Sequence, residues 1–146
     1  MERNCCFCLS PHVLFQHTQV KINASTIRYF NDVLDLIHTG KKVRGWRTYK
    51  RSGKNLDAYY NKKLGFVIKF QYFILDSRTP NKFKVPTFRL DNGGYVAQPI
   101  VEKKNLALAV SKLRTKIKPH LKRGIFPDLH VGNVGWYKGK PLMFDW

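Results

Sequence analysis

"FPDLHVGNVGWYKGKPLMFDW", residues 126–146, is the stretch on which the reading of this chain turns. Its first half places Asp128 and, five positions on, Asn133 in a segment with neither helical nor strand period. Its second half reads as two short strands, Val134–Tyr137 and Pro141–Phe144, joined by a "KGK" turn into a hairpin, and Asp145 follows directly. The whole chain has only nine acidic residues in 146, and two of them fall here. Charge balance does not require them, so each is expected to have a local structural or a chemical role.

Upstream of this segment, "KNLALAVSKLRTKIKPHLKRG" predicts a long helix over 104–122, with Leu106, Val110, Leu113 and Ile117 on its apolar side. Pro119 should kink or end it, and Gly124 should close the element. "GGYVAQPIVEKK" predicts a strand running into a connector at Gln98–Pro99, and "DSRTPNKFKVPTF" a loop with a strand entry at Val85–Pro86. From Val43 to about Phe73 the period is that of strands: "VRGWRTYK", a turn at "RSGKN", "LDAYY", and then "FVIKFQYFIL". Lys69 sits inside that last run, where a lysine is costly unless it meets an anion or snorkels out. Near the start, "ASTIRYFNDVLDLIHTGKK" predicts a helix capped by Ser25 or Thr26, apolar at Ile27, Phe30, Leu34 and Ile37, and stopped by Gly40. The switching of period along the chain implies an α+β fold, and no internal repeat is present.

At 146 residues the chain is expected to form one domain with a real core, and its apolar content of 43% supports a folded globule. No apolar run is long enough for a membrane span, and no secretory signal pattern opens the sequence, so a cytoplasmic setting without a membrane partner is expected. Cys5, Cys6 and Cys8 cannot all pair with one another, which fits a reducing compartment. With His12 and His17 they offer zinc-binding atoms, but on a loop too short for the common zinc folds, so no structural metal is expected there. The dominant compositional fact is charge: 27 Lys and Arg against nine Asp and Glu, a net +18. A field of that sign attracts nucleic acid, nucleotide phosphates or an acidic protein surface.

The order of these pieces resembles the protein-kinase-like superfamily. In that family a catalytic-loop Asp is followed five residues later by an Asn, and a hairpin leads to a second, metal-binding Asp. Asp128-Leu129-His130-Val131-Gly132-Asn133 has that spacing, in the form nearest to aminoglycoside and similar small-molecule kinases and to atypical kinases, and Phe144-Asp145-Trp146 falls where the metal-binding triplet belongs. Val67-Ile68-Lys69 matches the strand whose lysine meets nucleotide phosphates, and Gly53 with Ala58-Tyr59 looks like a degenerate glycine loop. The run from Gly94 to Glu102 looks like the strand entering an interlobe hinge. Over roughly residues 43 to 146 the chain is similar to the early serine/threonine kinases of short-tailed bacteriophages.

The resemblance implies ATP and Mg²⁺ as cofactors. Asp128 would be the catalytic base, and Asn133 and Asp145 the metal ligands. Lys69, Gly53, Gln98 and Ile100 would bind the nucleotide. It implies a single kinase-like domain over 1–146: an N-terminal extension with one helix over 1–40, an N-lobe-like sheet over 43–102, and the helix, catalytic-loop-like segment and hairpin over 103–146. The sequence departs from the family in four ways. No acidic residue lies in a recognisable helix between Lys69 and Val85, one glycine remains in the glycine loop, Phe126-Pro127 precedes Asp128 in place of His-Arg, and the sequence stops one residue after Asp145. Most of a C-lobe is therefore expected to be missing, with the possible completion of the fold falling to a partner. Two functions are consistent with these features. One is a minimal phosphotransferase acting on a protein hydroxyl, its own or a host protein's, in the manner of a phage early protein. The other is a noncatalytic kinase-like module that binds nucleic acid or an acidic host protein through its basic surface.

Overall fold

Asn23, not Ser25 or Thr26, caps the first helix. The computed structural model describes residues 22–51, 53–71, 79–121 and 127–144, and in it helix α1 runs Ala24–His38. Asn23 is extended, and its Oδ1 accepts from the Thr26 backbone N–H at 3.0 Å and from the Ser25 and Thr26 hydroxyls at 2.8 and 3.0 Å. All three residues are good caps by type. The one with non-helical backbone accepts, and its neighbours donate. At the other end Gly40, at φ +84°, lets its own N–H reach Ile37 O and the Lys41 N–H reach Leu36 O, the paired bonds of a glycine-terminated helix.

The chain divides into two compact units. The first contains α1 and most of a five-stranded sheet, in the order β1 (Arg47–Arg51), β2 (Lys54–Asn61), β3 (Phe66–Phe70), β5 (Tyr95–Pro99) and β4 (Phe88–Arg89). The β1/β2, β2/β3 and β4/β5 pairs are antiparallel. An α+β architecture is thus borne out, while β3 ends at Phe70 and residues 72–75 of the expected longer strand lie outside the described residues. Strand alternation sends Phe66 and Ile68 to the face covered by α1, where they join Phe30, Val33, Leu34, Trp46, Leu90, Tyr95 and Ala97 in one core. Phe30 sits at its centre, 5.1 Å from the Phe66 ring and edge-on to Trp46 at 6.1 Å. Each such buried side chain contributes roughly 1.5–3 kcal/mol, far more than helix propensity does. By the same alternation Lys69, paired with Ala58, belongs to the opposite face and is half-buried, which removes the conflict of a lysine in the core.

One glycine of this unit is dictated by packing. Gly94 has φ +90°, and a Cβ there would lie 2.3 Å from Phe70 Cε2, on a ring that packs edge-on against Tyr95 at 5.0 Å. Gly94→Ala combines backbone strain with a displaced core ring. It should destabilise the protein by about 2 kcal/mol or more, read as a lower denaturation midpoint at unchanged slope. An unshifted midpoint would mean that Phe70 does not occupy this position.

A polar cluster lies at the C-terminal end of α1. The Tyr95 hydroxyl donates to the Asp57 carboxylate at 2.5–2.6 Å, Tyr59 donates to the same group at 3.3 Å, and the His38 ring stands edge-on to Tyr95 at 5.1 Å. Burial first, and then the hydrogen bond to Asp57, push the Tyr95 hydroxyl well above its ordinary value of 10.0. The folded state therefore holds this proton more tightly than the unfolded chain does. Stability should be constant below about pH 10 and fall as pH rises beyond it. Tyr95→Phe should flatten that alkaline slope in denaturant titrations across pH 9–12, and a slope unchanged in the variant would remove Tyr95 as its source.

The second unit holds helix α2 (Leu106–Ile117) and hairpin β6 (Val134–Tyr137)/β7 (Lys140–Met143). The expected helix over 104–122 is shorter than predicted. It starts after Asn105 and tightens to a 3₁₀ turn over Lys118–His120, at the proline that cannot donate to an α-helical bond. Ala109, Val110, Leu113 and Ile117 pack with Phe83, Leu129, Val134 and Met143. Lys138 and Gly139, at φ +51° and +76°, form the two-residue turn between the strands. Two segments dock on this hairpin. Val85 N–H donates to Met143 O at 2.7 Å, and Glu102 exchanges both backbone bonds with Trp136 at 2.8 and 3.0 Å. The expected strand entry at Val85–Pro86 is thus a single bridge, and the regular strand β4 begins at Phe88. The expected connector at Gln98–Pro99 is still strand, since β5 runs to Pro99.

Candidate functional site

The segment from Asp128 to Asn133 is shaped by one anchor and one tie. Leu129 is the anchor: it is buried in the second unit's core, and its carbonyl accepts from Arg114 Nη2 of α2 at 3.3 Å. Asn133, also buried, is the tie. Its Nδ2 donates back to the Asp128 carbonyl, its Oδ1 accepts from His130 N–H at 3.0 Å, and its own N–H donates to His130 O at 3.0 Å. With the backbone held at both ends, the Asp128 side chain projects into solvent, 93% exposed.

His130 completes the loop. Its Nδ1 accepts from the Gly132 N–H at 3.0 Å, so the neutral ring carries its proton on Nε2, and that atom faces Asp128 Oδ2 at 3.7 Å. A Cβ on Gly132 would come within 2.8 Å of this ring, so the glycine keeps the imidazole in place. The spacing Asp-x-His did not by itself reveal this pair, because the contact depends on how the loop backbone turns and on the room that a glycine at 132 leaves for the ring.

The far side of the hairpin returns to the same loop. Phe144 N–H donates to Asn133 O at 3.0 Å, and Phe144 O accepts from Gln98 Nε2 at 3.0 Å. Gln98 is 1% exposed, and the same Nε2 also donates to Thr87 Oγ1 at 2.7 Å. Both amide protons of Gln98 are therefore used, one on the Phe144 carbonyl and one on the Thr87 hydroxyl. Its amide thereby ties the end of β5 to the residue that follows β7. Ile100 is exposed at its start of the connector.

The remaining expected site residues fall as follows. Lys69 lies on β3 and Gly53, at φ +76°, in the β1–β2 turn, both in the first unit, while Asp128 and Asn133 belong to the second. Asp145 and the N-terminal Cys5, Cys6, Cys8, His12 and His17 lie outside the described residues. Among the described residues no group of three or more His, Cys, Asp and Glu is placed to hold a metal, and no helix is long and apolar enough to cross a membrane. Asn133 fits a hard cation in one respect: its Oδ1 accepts a single hydrogen bond and keeps a second lone pair. No protein-family model matches the chain, and neither a curated protein nor a solved structure matches it.

Proposed function

We propose that this chain is a minimal kinase-like phosphotransferase that uses Mg·ATP and transfers a phosphoryl group to a protein hydroxyl, its own or that of a host protein. One observation carries the reading. The hydrogen bond from Phe144 N–H to Asn133 O joins the loop that presents Asp128 to the residue immediately before Asp145. Asp128 and Asn133, on one loop, are thus joined by one short network to the residue that precedes Asp145 in sequence, and these residue types have the chemistry of phosphoryl transfer.

In this reading Asp128 orients the acceptor hydroxyl. As the oxygen attacks the γ-phosphorus and the bond to the ADP oxygen breaks, the carboxylate takes the hydroxyl proton. His130 Nε2 stands beside it at 3.7 Å. Asn133 Oδ1 and Asp145 would hold Mg²⁺, which when bound neutralises charge on the phosphate oxygens. Gln98 holds the carbonyl of Phe144, the residue before Asp145.

The test is incorporation of label from γ-labelled ATP with Mg²⁺, on the unmodified chain and on Asp128→Ala. Label on the first and none on the second supports the reading. Equal labelling, or none on either, rejects it.

A further inference from the structure

The β1–β2 hairpin separates its charges by face in a way that the phosphotransferase reading does not use. Between residues 41 and 70 the sequence has ten Lys and Arg and a single acid, Asp57. Asp57 is turned to the helix-covered face, where its carboxylate accepts from Tyr59 and Tyr95. The opposite face carries Arg47 paired with Tyr60, and the Tyr49 ring lies edge-on to the Tyr60 ring at 4.9 Å. Tyr49 and the neighbouring Leu56 are each 41% exposed, while Tyr60 is half-buried and holds the Tyr49 ring from behind.

Cations collar the same end of the hairpin. A Cβ on Gly45 would lie 2.8 Å from Asn61 Nδ2, so the turn before β1 packs against the turn after β2. Those two turns carry Arg44 on one side and Lys62 and Lys63 on the other, all exposed, with exposed Lys41 and Lys42 leading in. An exposed ring supported by a second ring, on an edge strand, near a cluster of cations and with no acid among residues 41–70 besides the turned-away Asp57, matches one occupant in particular. Single-stranded nucleic acid brings unpaired bases that stack on the ring and phosphates that meet the cations. A duplex keeps its bases stacked inside, so Tyr49 would add nothing to its binding, and an acidic peptide offers the charge without flat faces.

We infer that the Arg47–Tyr49–Tyr60 face of the β1–β2 hairpin is a binding platform for single-stranded nucleic acid, with at least one base stacked on Tyr49. The inference is independent of the phosphotransferase reading and is tested without ATP. The probe is a fluorescent oligothymidylate of about 12 nucleotides, within the usual site size of such surfaces, followed by anisotropy as salt is raised. Tyr49→Ala is expected to weaken binding about tenfold, while Tyr49→Phe, which keeps the ring, stays at the unmodified affinity. Arg47→Ala should reduce the slope of log K against log salt by about 0.7, one phosphate contact on a single strand. Lys138→Ala/Lys140→Ala, in the second unit's hairpin, should leave affinity unchanged. Equal affinity for a duplex of the same length or for polyglutamate, binding indifferent to Tyr49→Ala, or no binding at low salt would each overturn the platform. Tyr49 is exposed, so its substitution leaves the core intact, and an unchanged melting curve for Tyr49→Ala confirms that the loss is in binding.

Discussion

Asp128→Ala is expected to lower phosphoryl transfer about a thousandfold while leaving Mg·ATP affinity within about twofold of the unmodified protein, since a general base acts on the nucleophile and not on the bound nucleotide. The structure makes this a clean substitution. The Asp128 carboxylate is almost wholly exposed, and the loop is held through the Asp128 carbonyl, which alanine keeps. Asp145→Ala should behave in the opposite sense: on the phosphotransferase reading it takes away a proposed metal ligand, so the Mg²⁺-dependent part of nucleotide binding should disappear, and transfer with it. Calorimetry with ATP, with and without Mg²⁺, on the three proteins separates the two effects. If all three bind ATP equally, or the unmodified protein does not bind it, the phosphotransferase reading is lost and the loop is a structural one.

What could be read from the sequence depended on how local each determinant was. The β6–β7 hairpin was legible to within one residue because its turn signal, Lys138-Gly139, and its alternating apolar residues are contiguous. The apolar stripe of α2 was legible for the same reason, and Pro119 marked where the α-helical bonding gives way. At the start of α1 three capping types, Asn23, Ser25 and Thr26, fall within four positions, and backbone geometry, which the letters do not encode, chose Asn23. Contacts across long separations left no local trace. Asp57 meets Tyr95 across 38 positions and Gln98 meets Phe144 across 46, and neither pairing has a periodicity to announce it. Gln98 shows the consequence for function. Its burial and its bond to the Phe144 carbonyl are tertiary facts that a polar residue entering a connector does not announce.

Asn133 should be the position at which fold and site fail together, and its two replacements should fail for different reasons. Asn133→Ala removes the acceptor for His130 N–H and the donor to Asp128 O in one step, inside a buried environment. Two backbone groups lose their partners, at about 1–3 kcal/mol for each group left unsatisfied, so the expected loss is roughly 2–4 kcal/mol with partial relief by water. Asn133→Asp keeps an acceptor for His130 N–H but sets a carboxylate oxygen against the Asp128 carbonyl, where the amide had donated. It should be destabilised at least as much as the alanine variant at neutral pH, and should recover in part as the carboxyl is protonated and regains a donor. Denaturant midpoints for both variants at pH 7 and pH 4 read this directly, with no reference to ATP or to any acceptor. A midpoint for Asn133→Asp equal to that of the unmodified protein at pH 7 would show that the amide does not tie the loop. The exposed placement of Asp128, and the phosphotransferase reading built on it, would then lose their structural basis.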